Sequence, residues 1–203
     1  MIAAISRLVN AIRQRRLLFV RLSVFKDAVF VLVKGLMGLV LQSFFMVMNA
    51  FYSAGMGIAR HLAIKMHEDN SKQKRAKYRR IGIIITISAA CYVLYSVRLL
   101  FGGKSGVYSM HTALVIALYT FAEFGINVRE IIRLRKSPSM EAKALLAISF
   151  SSTLLCFVLT QTAILSFADQ SDNGLFNALS GVAFGCMAAA AGIYVLADSR
   201  RCA

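Results

Sequence analysis

Lys34 stands in Val-Lys-Gly near the middle of the first apolar stretch, and Glu123 stands in Tyr-Thr-Phe-Ala-Glu-Phe-Gly near the end of another. An ammonium or a carboxylate inside hydrocarbon is costly unless paired, so such residues persist where they bind, relay protons or hold helices together. Gln161, flanked by Thr160 and Thr162, and His111 add an amide and an imidazole to further apolar runs. These four residues form the candidate polar track. Each has a structural alternative beside it: Lys34 can snorkel toward the membrane surface, Glu123 can pair with Arg129, and His111 and Gln161 can glue helices together by hydrogen bonds.

Other chemistry has little support in the spacing. No Gly-x-Ser-x-Gly elbow and no His-Glu-x-x-His pair occurs, and the three histidines are scattered, so neither a catalytic residue nor a metal site is expected. Phe-Gly-Gly-Lys-Ser-Gly at 101–106 has the look of a phosphate loop, but Arg98 occupies the place of its earlier glycine. Cys91, Cys156 and Cys186 lie in apolar runs and Cys202 near the C-terminus, with no redox or ligand spacing, so reduced thiols are expected. No cofactor is expected.

The elements that position these residues are membrane-spanning helices. Of 203 residues 58% are apolar and only 16% charged, and the mean hydropathy is +0.66. A soluble domain needs more polar surface than this, and a disordered chain is far less apolar. The net charge of +15 does not make nucleic acid a partner, because the basic residues sit between long apolar runs. Continuous rather than alternating apolar runs exclude a β-barrel.

The expected fold is an all-α, polytopic helical bundle with spans of about 25–41, 44–64, 81–101, 107–127, 144–167 and 175–197. Residues 25–64 are the ambiguous stretch, readable as a tight hairpin turning at Gln42-Ser43 or as one long helix. Charge favours the hairpin. Basic segments at 1–27, 60–80, 128–143 and 198–203 alternate with turns poor in cations, and the positive-inside rule puts them all in the cytoplasm only with an even number of crossings before residue 65. Six spans with both termini cytoplasmic follow, with five as the alternative. Residues 1–24 read as a basic amphipathic segment, with a frayed basic topogenic tail as the alternative, and 198–203 as a cytoplasmic tail.

Two further sets of residues have an assigned role. Lys72, Lys74, Arg75, Lys77, Arg79 and Arg80 are six cations in a row of nine residues without an acid, a surface for anionic lipid headgroups or a protein partner. Gly181, Gly185 and Ala189 recur at four-residue steps, a stripe along which helix backbones approach closely within the chain or in a homo-oligomer.

The segments Tyr-Thr-Phe-Ala-Glu-Phe-Gly (119–125), Leu-Thr-Gln-Thr-Ala-Ile-Leu (159–165) and Asn-Ala-Leu-Ser-Gly (177–181) are similar to parts of small multi-pass membrane proteins of Gram-positive bacteria. The resemblance implies the six-helix layout and a bacterial cytoplasmic membrane, and it supplies no activity. The functional expectation is a small transporter-like or solute-handling protein. The alternative is a non-catalytic accessory or scaffold protein that binds a partner or anionic lipid through its basic loops, with a membrane-embedded enzyme third.

Overall fold

The computed structural model describes residues 25–41, 43–66, 69–101, 108–168 and 174–201. Within them the chain is all-helical: α1 (25–40), α2 (Phe44–Lys65), α3 (Ser71–Leu100), α4 (Met110–Leu134), α5 (Met140–Ala168) and α6 (Gly174–Arg201). The amphipathic reading of residues 1–24, the turn at 102–106 and the position of Gln42 lie outside the described residues.

Residues 25–40 and Phe44–Lys65 are two separate helices, not one. The break is built by Ser43, whose backbone N–H returns to the Gly38 carbonyl at 3.0 Å. Its hydroxyl accepts from Met46 N at 3.4 Å, capping the first turn of α2. Gly38 lets the hairpin close: a Cβ there would stand 2.9 Å from the Val47 side chain and 3.0 Å from its backbone nitrogen. On the outer side of α1, Leu32, Leu36 and Leu39 are exposed at four- and three-residue steps, an apolar stripe.

Four other helices run past the ends expected from hydropathy. α6 continues to Arg201, so residues 198–201 of the expected tail are helical. α3 begins at Ser71, ten residues before its apolar run, so Lys72 to Arg80 are helical rather than a loop. Lys, Gln, Arg and Ala are good helix formers, and no Gly or Pro interrupts them. α4 continues to Leu134. Glu123 is therefore mid-helix, not one turn from its end. α5 starts at Met140, where Ser139 accepts from Ala142 N at 3.2 Å directly after Pro138.

Helices consecutive in sequence run antiparallel. α5 is central and mostly buried, and it packs on α2, α3, α4 and α6. α3 and α6 form the closest pair, through glycines. A Cβ on Gly185 would meet the Val93 side chain at 2.6 Å, and one on Gly192 would meet the Thr86 nitrogen at 2.9 Å and the Gly82 oxygen at 3.1 Å. One end of the bundle collects the basic segments: Arg75 donates to the Ser199 carbonyl at 2.8 Å, and Tyr78 and Lys143 both reach Asp198 at 3.1 Å. At the other end Ser43 and Tyr108 share a 2.9 Å hydrogen bond, and Thr162 donates to Asn177 at 3.0 Å.

Large apolar side chains cover the outside all round, among them Leu94, Leu118, Phe121, Leu179 and Ile193, far more than water tolerates on a monomer. Among the described residues four helices, α3, α4, α5 and α6, are long and apolar enough to cross a membrane. α2 carries Arg60 within its length.

Candidate functional site

The polar interior lies between α1, α2, α4 and α5, and it has two layers. Nearer the basic end, Arg60 of α2 is 2% exposed and reaches three partners. Its Nε is 2.9 Å from Asp27 of α1, one terminal nitrogen is bonded to Glu130 of α4, and the other donates to Ser149 of α5 at 3.3 Å. Ser149 donates in turn to Glu130 at 2.7 Å. The guanidinium thus hydrogen-bonds to two helices and is ion-paired with a third, a spread that a single ammonium could not match.

Deeper in the bundle, Lys34 of α1 is 1% exposed. Its ammonium is 2.8 Å from the Glu123 carboxylate of α4 and donates to Ser53 of α2 at 2.8 Å. It also lies 5.9 Å from the centre of the Tyr119 ring, a cation–π distance. The Tyr119 hydroxyl donates to the Phe30 carbonyl at 2.9 Å, fastening α4 to α1. The Cys156 thiol faces Glu123 from α5.

One spacing generates both layers. Asp27 and Lys34, Ser53 and Arg60, Glu123 and Glu130, and Ser149 and Cys156 are each seven residues apart. Seven residues are two turns, so the paired residues share a face and the layers lie about 10 Å apart along the bundle. Between them is a narrow cleft lined by Asp27, Ser53, Arg60, Glu123, Asn127 and Ser152, with Phe30, Met56 and Gly57 as its apolar walls. Asn127 is 1% exposed, and its amide nitrogen has no hydrogen-bond acceptor among the described residues. The column holds three buried or half-buried carboxylates (Asp27, Glu123, Glu130) against Lys34 and Arg60, with Lys26 at its rim 3.3 Å from Asp27. Carboxylates spaced through a low-dielectric interior can hold, share and pass a proton. The same pairs also lock four helices in register.

Of the candidate polar track, Lys34 and Glu123 meet, and Gln161 and His111 do not join them. His111 is exposed at the second position of α4, twelve residues from Glu123 and thus about 18 Å along the helix. Gln161 lines an apolar cleft on the α4–α5 surface with Phe121, Phe124 and Phe157. Its neighbours join helices: Thr160 to Thr120 at 2.9 Å, and Thr162 to Asn177. Arg129, the alternative partner of Glu123, is exposed.

The six cations of α3 do not share one surface. Lys72, Arg79 and Arg80 are exposed, whereas Arg75 is turned onto the Ser199 carbonyl and Lys77 pairs with Asp69. Lys72, Lys74 and Arg75 do line a shallow cleft with Ser71 and Met140. Gly181 and Gly185 lie in the α3–α6 seam, and Ala189 packs against the core from the same helix.

Asp27, Arg60, Glu130, Asn127 and Ser149 were not singled out by sequence. Arg60, Asp27 and Glu130 sit where apolar runs give way to basic segments, and so read as interfacial charges. The signal that marks them is the seven-residue step from Lys34, Ser53 and Glu123. Among the described residues no group of His, Cys, Asp or Glu is arranged to hold a metal ion. Compared with protein-family models, curated proteins and solved structures, the chain matches none.

Proposed function

We propose that this chain is a small transporter-like membrane protein whose polar column between α1, α2, α4 and α5 handles a species no larger than water or a proton. It sits in a bacterial cytoplasmic membrane, crosses it six times and keeps its basic end on the inner side. The observation that carries this reading is the linkage of five ionisable side chains on three helices into two layers around one cleft. Intramembrane charges are expensive, and static helix packing needs far fewer of them. The cleft is narrow, about 10 Å³, the scale of a single water.

The scaffold reading rests on a different observation. Lys34 and Arg60 both have carboxylate partners, as a purely structural network would require, and Lys72, Arg79 and Arg80 are open to a lipid or protein partner at the basic end. Proteoliposomes loaded with a pH-sensitive dye separate the two. Under an imposed pH gradient, transport predicts a proton flux above that of empty liposomes that Glu123→Gln abolishes. A flux equal to that of empty liposomes, from protein shown to be folded, leaves the scaffold reading.

A further inference from the structure

We infer that the cleft between the two charged layers is a binding site for a single water, which bridges Asn127 to the Asp27 and Glu123 carboxylates and passes a proton between them. The inference deepens the transport reading and rests on it only for the direction in which protons travel.

The site is defined by what it lacks. Asn127 is buried, and its amide nitrogen carries donor hydrogens with no acceptor among the described residues. A buried donor left without a partner is destabilising, and native structures satisfy such groups with protein or ordered water. The cleft that Asn127 lines has room for about one water and is polar on several sides, the two conditions for holding one. A water there accepts from the Asn127 amide and donates to two carboxylates, with the Ser53 and Ser152 hydroxyls also on the lining. No apolar group could do this, and an anion would face two carboxylates.

The groups around Glu123 come from every helix that packs on it. α1 supplies Lys34 and Asp27, α2 supplies Ser53 and Arg60, α5 supplies Ser152 and Cys156, and α4 itself supplies Tyr119 and Asn127. Glu123 both pairs with Lys34 and lines the cleft. Asp27 shares the cleft and lies at the basic end, beside half-buried Lys26. A proton that reaches the Asp27 carboxylate is taken up by the water, which releases one of its own protons to Glu123. Asp27 returns to its carboxylate form, the water is restored, Glu123 becomes neutral, and Lys34 stays an ammonium held by Ser53. No co-reactant is needed. With three carboxylates set against two deeply buried cations, the column takes this proton without stranding a new charge.

Infrared difference spectroscopy on the full-length protein in liposomes tests the assignment with no gradient applied. Taken from neutral to acid buffer on both sides of the membrane, the wild type should show a water O–H band that shifts in heavy-oxygen water and a protonated-carboxyl band that Glu123→Gln removes. Asn127→Leu fills the cleft and removes the amide. It should erase the water band and slow hydrogen–deuterium exchange of the Glu123 carboxyl about a hundredfold or more, the scale on which a positioned proton-transfer group acts. Asn127→Ala removes the donor but leaves the space open, so it should weaken both signals less than Asn127→Leu does, and circular dichroism of each variant guards against one that fails to fold. A water band unchanged in Asn127→Leu, exchange at the wild-type rate, or no Glu123-dependent carboxyl band overturns the relay. The two proposals fail separately. Relay signals without net flux in proteoliposomes sink transport and spare the relay, whereas full flux through Asn127→Leu sinks the relay and spares transport.

Discussion

Asp27 and Lys34 lie two turns apart on one face of α1, with opposite charges, and each is held by a different helix: Asp27 by Arg60 of α2 and Lys34 by Glu123 of α4. α1 therefore ties both polar layers together. Phe30 against Tyr119, with rings 5.0 Å apart, fastens the same helix to α4.

Lys34→Met and Glu123→Gln should each lower thermal stability in detergent, because each strands the other's charge in the interior. The loss is expected on the scale of about 3–5 kcal/mol, the cost of breaking a buried pair. The double mutant should recover part of it. Strictly additive losses in the double-mutant cycle would show that the two residues are not coupled.

Arg60→Met should be the most damaging single change in the column, since it leaves both Asp27 and Glu130 without their guanidinium. Arg60→Lys should rescue little. One ammonium cannot reach Asp27, Glu130 and Ser149 from the positions of three separate nitrogens. Melting temperatures of the two variants, measured side by side, check the ranking; a fully stable Arg60→Lys protein would contradict it.

Glycine substitutions should divide by location. Gly192→Val places atoms against the backbones of Thr86 and Gly82, so it should split the α3–α6 seam and cost about 1–3 kcal/mol or more. Gly125→Ala meets nothing within 4 Å and should stabilise the helix by up to about 1 kcal/mol. Comparable losses in both, read by thermal unfolding in detergent, would mean that this seam is not packed as described.

Labelling of single cysteines tests the orientation. Positions 71 and 137 both stand at the basic end, and position 109 is exposed at the other. A membrane-impermeant thiol reagent applied outside intact cells should reach Ser109→Cys and neither Ser71→Cys nor Ser137→Cys. Outside labelling of position 71 would sink the six-span arrangement.

Charge removal at the basic end should not be uniform. Replacing exposed Lys72, Arg79 and Arg80 by Gln should weaken retention of anionic lipid more than replacing Arg75 and Lys77, which are engaged within the protein. Lipid retained by the purified variants, assayed at rising salt, provides the measure, and the wild-type retention should fall as salt screens the charges.

Composition and hydropathy run lengths by themselves determined the helical, membrane-type architecture, because burying backbone polar groups in lipid leaves continuous apolar runs little choice but helix. They also picked out Lys34 and Glu123, since a charge within such a run stands out. Helix ends were less legible. Ser71 to Arg80 and Arg129 to Leu134 are polar, so hydropathy stops where the helix does not. What only the tertiary structure decided is which polar residues meet. Arg60, Asp27 and Glu130 lie at the margins of their runs and acquire meaning only when α1, α2 and α4 pack together, while Gln161 and His111 prove to face away. Linear spacing records which residues share a face of one helix, but the rotation of each helix toward its neighbours is set by packing contacts distant in sequence, such as Gly38 on Val47 and Gly192 on Thr86.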